Sequence, residues 1–146
     1  MSYQVVPHML FQLAVRDWGE RFGFGNAIGL GYGDFGCIYI AKSSKGMVKI
    51  GFSQNVEKRV KALPGKCELL FIVPDVFWSE EYWLHGQIAY FVCKKDGATE
   101  WYEETGPIAG FLDEIREKLA LASSKAPALL NAGCSVVRHI VASHAA

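Results

Sequence analysis

Gly36-Cys37-Ile38-Tyr39-Ile40-Ala41, then Lys42-Ser43-Ser44-Lys45-Gly46, then Met47-Val48-Lys49-Ile50-Gly51-Phe52-Ser53 carry the clearest structural signal in the chain. Residues 37–41 and 47–52 are rich in β-branched and aromatic side chains, and a short polar turn ending in glycine separates them. That pattern predicts a β-hairpin. Ser53 or Asn55 then offers an N-cap for a helix running to about residue 63, with Val56, Val60 and Leu63 as its buried stripe and Pro64-Gly65 as its end. Residues 69–73 are a continuous apolar run closed by Pro74, which suits a buried central strand. The expected fold class is α+β: a small three-stranded antiparallel sheet flanked by helices.

Outward from this core, residues 6–22 place Met9, Leu10, Leu13, Ala14 and Trp18 at helical spacing, which predicts an added N-terminal helix. Residues 23–36 are glycine-rich and read as a linker or lid. On the other side, Ser79 reads as the N-cap of a helix to about residue 92, with Trp78 and Trp83 spaced as a hydrophobic staple. Pro107 suits the first turn of a further helix whose core face is Ile108, Phe111, Leu112, Ile115 and Leu119. Residues 123–127 read as a linker, and the last nineteen residues as a small, apolar helical tail. The expected organisation is a lead-in over residues 1–35, a core over 36–122, and a linker and tail over 123–146.

The 146 residues are 51% hydrophobic, 21% charged and 13% aromatic, a composition that excludes a disordered, collagenous or coiled-coil chain. Fifteen basic residues balance fifteen acidic ones, yet Lys42, Lys45, Lys49, Lys58, Arg59, Lys61 and Lys66 stand against the single acid Glu57 in one stretch. A chain neutral as a whole can therefore present a basic face, and Lys42, Lys45, Lys58, Lys61 and Lys66 are the candidate phosphate contacts. The four cysteines are isolated, which argues against a zinc site or a disulfide framework. With no signal-peptide pattern and no long apolar run, the expectation is a cytoplasmic protein with no membrane segment.

Tyr39 and Lys49 fall on neighbouring strands of the hairpin, Arg59 on the helix that follows, and Glu81 at the start of the next helix with His85 one turn on. Brought together, these residue types form a coherent set for hydrolysing a phosphodiester. Glu81 would hold a divalent metal, Mg2+ or Mn2+, that polarises the phosphate. Arg59 would clamp the phosphate as charge builds, and Lys49 beside the Tyr39 phenol would favour a phenolate able to take a proton from water. Each residue also has an ordinary explanation: a strand-edge tyrosine, a solvated helix arginine, glutamates complementing a helix dipole, a packing histidine.

Gly36-Cys37-Ile38-Tyr39, Lys49-Ile50-Gly51-Phe52-Ser53 and Arg59, taken in this order, resemble the GIY-YIG nuclease superfamily. Glu81-x-x-Leu84-His85 followed by Glu100-Trp101-Tyr102 resembles its phage- and prokaryote-associated branch. The resemblance covers residues 36–102. It implies a metal-dependent nuclease in which Tyr39 is the general base, Arg59 the phosphate ligand and Glu81 the metal ligand. Lys49 stands where the second motif usually has tyrosine, Leu63 where many members carry histidine, and no late asparagine matches. The expected function is a divalent-metal-dependent endonuclease acting on nucleic acid, with DNA favoured as partner, and with Tyr39, Lys49, Arg59, Glu81 and His85 as the catalytic candidates. The alternative is a catalytically inactive module of the same fold, of phage or mobile-element origin, that binds nucleic acid or protein. The apolar tail offers a surface for homodimerisation.

Overall fold

A computed structural model describes residues 3–23, 33–88 and 101–131, with side chains to residue 124. In chain order the elements are β1 (Gln4–Val5), α1 (His8–Phe22), β2 (Phe35–Ser43), β3 (Met47–Ser53), α2 (Val56–Lys61), β4 (Cys67–Phe77), α3 (Trp78–Gln87), β5 (Trp101–Glu103) and α4 (Gly106–Asn131). The class is α+β, but the sheet is larger than the three strands expected. Among the described residues it has five strands in the order β1-β4-β2-β3-β5. Its centre is antiparallel, β5 adds an antiparallel edge, and β1 lies parallel to β4, so the sheet is mixed. Two residues cannot announce a strand by periodicity. β1 exists because β4 offers a ladder, through Gln4 opposite Phe71, Val5 opposite Ile72, and the Val6 amide donating to the Ile72 carbonyl at 2.8 Å.

The hairpin is as expected, with strands longer than the apolar runs because pairing continues into polar residues. Asn55 caps α2, its side-chain oxygen accepting from the Lys58 amide at 3.2 Å. β4 passes through Pro74 rather than stopping there. The register jumps from Ile38–Val73 to Gly36–Val76, so Pro74 and Asp75 form a bulge where a missing N–H is tolerated, and Asp75 takes a φ of 63°. A second bulge at Leu70 lies between the pairs Ile40–Phe71 and Ala41–Leu69. It turns Leu69 to the opposite face from Phe71 and Val73. A run apolar at every position is thereby shared between two cores.

The larger core packs α1, α3 and α4 against Ile38, Ile40, Val48, Ile50, Phe71 and Val73. The smaller one, on the other face, is Tyr39, Ala41, Leu69 and the Val56–Val60 stripe of α2. α1 packs within the larger core. It meets α4 through Trp18 and Phe111, ring centroids 5.1 Å apart, and the Trp18 indole N–H donates to the Pro107 carbonyl at 2.7 Å. Its buried face differs from the expected one: Phe11 and Val15 are buried while Met9 is 43% exposed. α4 runs unbroken through residues 123–127, where composition suggests a linker. The expected dimerising tail lies largely outside the described residues, as do Cys93 and Cys134; Cys37 and Cys67 are free. Among the described residues no helix is long and apolar enough to cross a membrane.

Candidate active site

Alternation along the hairpin sends Tyr39, Lys49 and Gly51 to the α2 side of the sheet and Ile38, Ile40, Val48 and Ile50 to the larger core. Tyr39 lies opposite Gly51, and Lys49 opposite Ala41, so Tyr39 and Lys49 are diagonal neighbours rather than a direct pair. A Cβ at position 51 would overlap the hydroxyl end of the Tyr39 ring. Glycine is needed there because the phenol lies across the β3 backbone. Tyr39 is 1% exposed and Lys49 7%, and the Lys49 ammonium stands 5.8 Å from the centre of the Trp101 ring on β5.

α3 brings Glu81 and His85 to the same strand. The His85 Nε2–H points at the Ile50 carbonyl, 2.9 Å away, and at Glu81 Oε1, 2.5 Å away. Both are acceptors, so the proton sits on Nε2, and Nδ1 accepts from the Tyr102 hydroxyl. Tyr102 is fully buried and its ring stacks on the imidazole, 17° from parallel. The carbonyl that His85 takes and the nitrogen of Gly51 belong to one peptide unit. Tyr39, which lies against Gly51, and the Glu81–His85 pair, which holds the Ile50 carbonyl, therefore reach the same link of β3.

The expected helix start at Ser79 is displaced. α3 begins at Trp78 after an N-cap at Phe77, whose amide donates to Glu80 Oε2 at 2.8 Å. Trp78 lies against Tyr82, ring centroids 5.2 Å apart. Glu80 also holds His8 of α1 through Oε1 at 2.5 Å. The adjacent glutamates thus divide, Glu80 to the helix start and Glu81 to the hairpin.

Arg59 is exposed on α2, and no contact joins it to Glu81 among the described residues. Lys45, Lys58, Lys61 and Lys66 are also exposed, with no ion pair among the described residues. Lys42 differs: its ammonium pairs with Glu104 at 2.5 Å. Leu63 packs against the smaller core, so nothing polar replaces histidine there. Burial pushes the Cys37 thiol above its ordinary range, with Asp75 adding to the effect, so this neighbour of Tyr39 is held as a neutral thiol. Glu100 lies outside the described residues.

Among the described residues no three His, Cys, Asp or Glu side chains converge as a metal cage. The donor set at Glu81 is one carboxylate whose Oε1 is taken by His85. That is too small for zinc, but it fits Mg2+, which keeps several waters and is commonly held by one or two carboxylates together with substrate phosphate oxygens.

The family model of the T5orf172 domain matches residues 36–120, more than half of the chain. This is a nuclease-type domain, GIY-YIG-like and phage-associated. The match begins at β2 and ends within α4, so it takes in the hairpin, α2, β4, α3 and β5. No curated protein and no solved structure matches the chain significantly.

Proposed function

We propose, from the premise that this chain belongs to the T5orf172 domain family, that it is a divalent-metal-dependent endonuclease whose active site is the β3 edge at Ile50-Gly51. The observation that carries this reading is the convergence on one peptide unit of the Tyr39 phenol and the Glu81–His85 pair. Arg59, exposed beside the Val56–Val60 stripe that packs on Tyr39, binds the phosphate. Tyr39, as the phenolate, takes the proton from water and becomes the phenol, with Lys49 on the same face of the sheet. Mg2+ or Mn2+, when bound through Glu81, stabilises charge on the phosphate and the leaving oxygen. His85 is a positioning residue: its Nε2–H fixes the Glu81 carboxylate, and its own ring is fixed by Ile50 and Tyr102. Lys45, Lys58, Lys61 and Lys66 supply phosphate contacts without sequence preference, and Lys42 contributes less because Glu104 already holds it.

The test is cleavage of labelled DNA and RNA by the full chain with Mg2+, Mn2+ or EDTA, alongside Glu81→Ala and Tyr39→Phe. The expected result is metal-dependent cutting that falls by at least about 100-fold in both variants, while affinity for uncut nucleic acid stays within about threefold. Salt-sensitive binding with no cutting under any metal would overturn the enzyme and leave a binding module of the same fold.

A further inference from the structure

Four aromatic side chains stand out from the surface where α3 leaves the sheet. Phe35 is 52% exposed, Phe77 36%, Trp78 40% and Tyr82 61%. They form two ring pairs. Phe35 and Phe77 face each other across β2 and β4 with centroids 5.2 Å apart and planes at 76°; Trp78 and Tyr82, one helical turn apart, are 5.2 Å apart at 32°. Backbone contacts hold the group in place. The Trp78 amide donates to the Asp34 carbonyl at 2.8 Å, the Gln54 side chain donates to the Phe35 carbonyl at 3.2 Å, and Gly33 is so close that a Cβ there would lie 3.3 Å from the Trp78 ring. Exposed rings clustered in this way mark a binding surface more strongly than scattered ones.

We propose that this platform stacks unpaired nucleobases, so that the protein prefers single-stranded or frayed nucleic acid over duplex; the proposal rests on the nuclease reading above and adds the substrate class. Two observations select a nucleic-acid strand over an apolar protein segment. First, Trp78, Glu81, Tyr82 and His85 occupy positions i, i+3, i+4 and i+7, a single stripe of α3. The rings and the Glu81–His85 pair therefore lie within about two turns of one helix, roughly 11 Å along its axis. Second, the Gln54 that ties down Phe35 immediately precedes the Asn55 cap of α2, whose exposed face carries Lys58, Arg59 and Lys61. Aromatic faces beside a track of cations are what binding a single strand requires: stacking surfaces for the bases and charge for the phosphates. In a duplex the base faces are covered, so only the charge term remains.

The experiment is fluorescence anisotropy in EDTA, where cutting cannot interfere. The full chain is titrated against a labelled 12-nucleotide single strand, as DNA and as RNA, against the matching blunt duplex, and against an abasic strand of the same length. Tyr82→Ala and Phe35→Ala are the variants, because both side chains are largely exposed and their loss leaves the cores intact. Each is expected to weaken single-strand binding by about 10-fold while changing duplex binding less than about twofold, and Tyr82→Phe should restore it. The abasic strand should bind the wild type about as weakly as the intact strand binds the variants. Equal loss on single strand and duplex, or no loss on either, would overturn the proposal. So would unchanged nucleic-acid binding with a fall in solution mass, which would make the patch a protein interface. Separate cleavage assays keep the two readings apart: cutting without a single-strand preference sinks only the platform, and a single-strand preference without cutting sinks only the nuclease.

Discussion

Glu80 and Glu81 are neighbours in sequence, both are buried, and each lies 2.5 Å from a histidine. Their surroundings set them apart. The Glu80–His8 pair joins the starts of two helices, and its second oxygen is used up in accepting the Phe77 amide at the end of β4. The Glu81–His85 pair lies at a strand edge, held by a backbone carbonyl and a buried tyrosine, and faces the link of β3 on which Tyr39 lies. The first arrangement consumes the carboxylate in structure. The second orients a carboxylate and leaves Oε2 outside that contact. Identical chemistry one residue apart thus serves folding in one region and, in the function proposed here, hydrolysis in the other.

The largest expected effect comes from exchanging charge for amide at each position. Glu81→Gln should reduce cleavage by at least about 100-fold with little change in thermal unfolding, since shape is kept and only the charge is lost. Glu80→Gln should lower stability by about 1–2 kcal/mol through the weakened helix start, and leave cleavage within about threefold. Cleavage rate and denaturant unfolding of both variants decide the matter. A stable but inactive Glu80→Gln, with an active Glu81→Gln, would reverse the assignment of the two pairs.

Tyr102→Phe probes how the second pair is held. Removing the hydroxyl takes away the donor that keeps the His85 proton on Nε2, facing Glu81. The expected loss is about 10-fold in cleavage and about 1 kcal/mol in stability, intermediate between the two glutamates. A purely structural tyrosine would lower stability and leave cleavage within about threefold of wild type, and that outcome would overturn the positioning role.

Much of this was legible where the signal is local. The hairpin, the Asn55 cap and the Glu81–His85 spacing depend on residues a few positions apart, and the sequence places them well. What depends on distant partners was not legible. β1 exists only through β4, the Leu70 bulge is set by register with Ala41, and the buried face of α1 is fixed by where Phe111 lies. The division between Glu80 and Glu81 is of this second kind, because nothing near residue 80 announces that His8 arrives there from the start of the chain. The exposed platform was missed for a related reason. Phe35, Phe77 and Tyr82 have the composition of core residues, and only the turn of α3 away from the sheet leaves them in solvent.

The smallest expected effect is between α1 and α4, where Asp17 meets Lys118 at 2.6 Å and Lys118 also reaches Glu114 at 3.3 Å. The hydrogen bond from Lys118 holds the Asp17 carboxyl below the usual carboxylate range, against an opposing effect of burial. Burial pulls the Lys118 ammonium down, but the bonds to Asp17 and Glu114 outweigh it and raise the group above its ordinary value. The lowered Asp17 contributes stability that is complete above the unfolded carboxylate range and disappears as pH falls through its folded value; the raised Lys118 contributes stability that is complete below the unfolded lysine range and disappears as pH rises through its folded value. Unfolding of Asp17→Asn across pH should therefore show a shallower acid limb, a neutral-pH loss below about 1 kcal/mol because solvent screens the pair, and unchanged cleavage. This is a salt bridge between two helices, joined to none of the proposed site residues among the described ones, and it sets the scale for the other two. If Asp17→Asn slowed cleavage as much as Tyr102→Phe, the loss at Tyr102 would have to be ascribed to general loosening of the fold, and the separation between a region that holds the fold together and a region that acts would no longer stand.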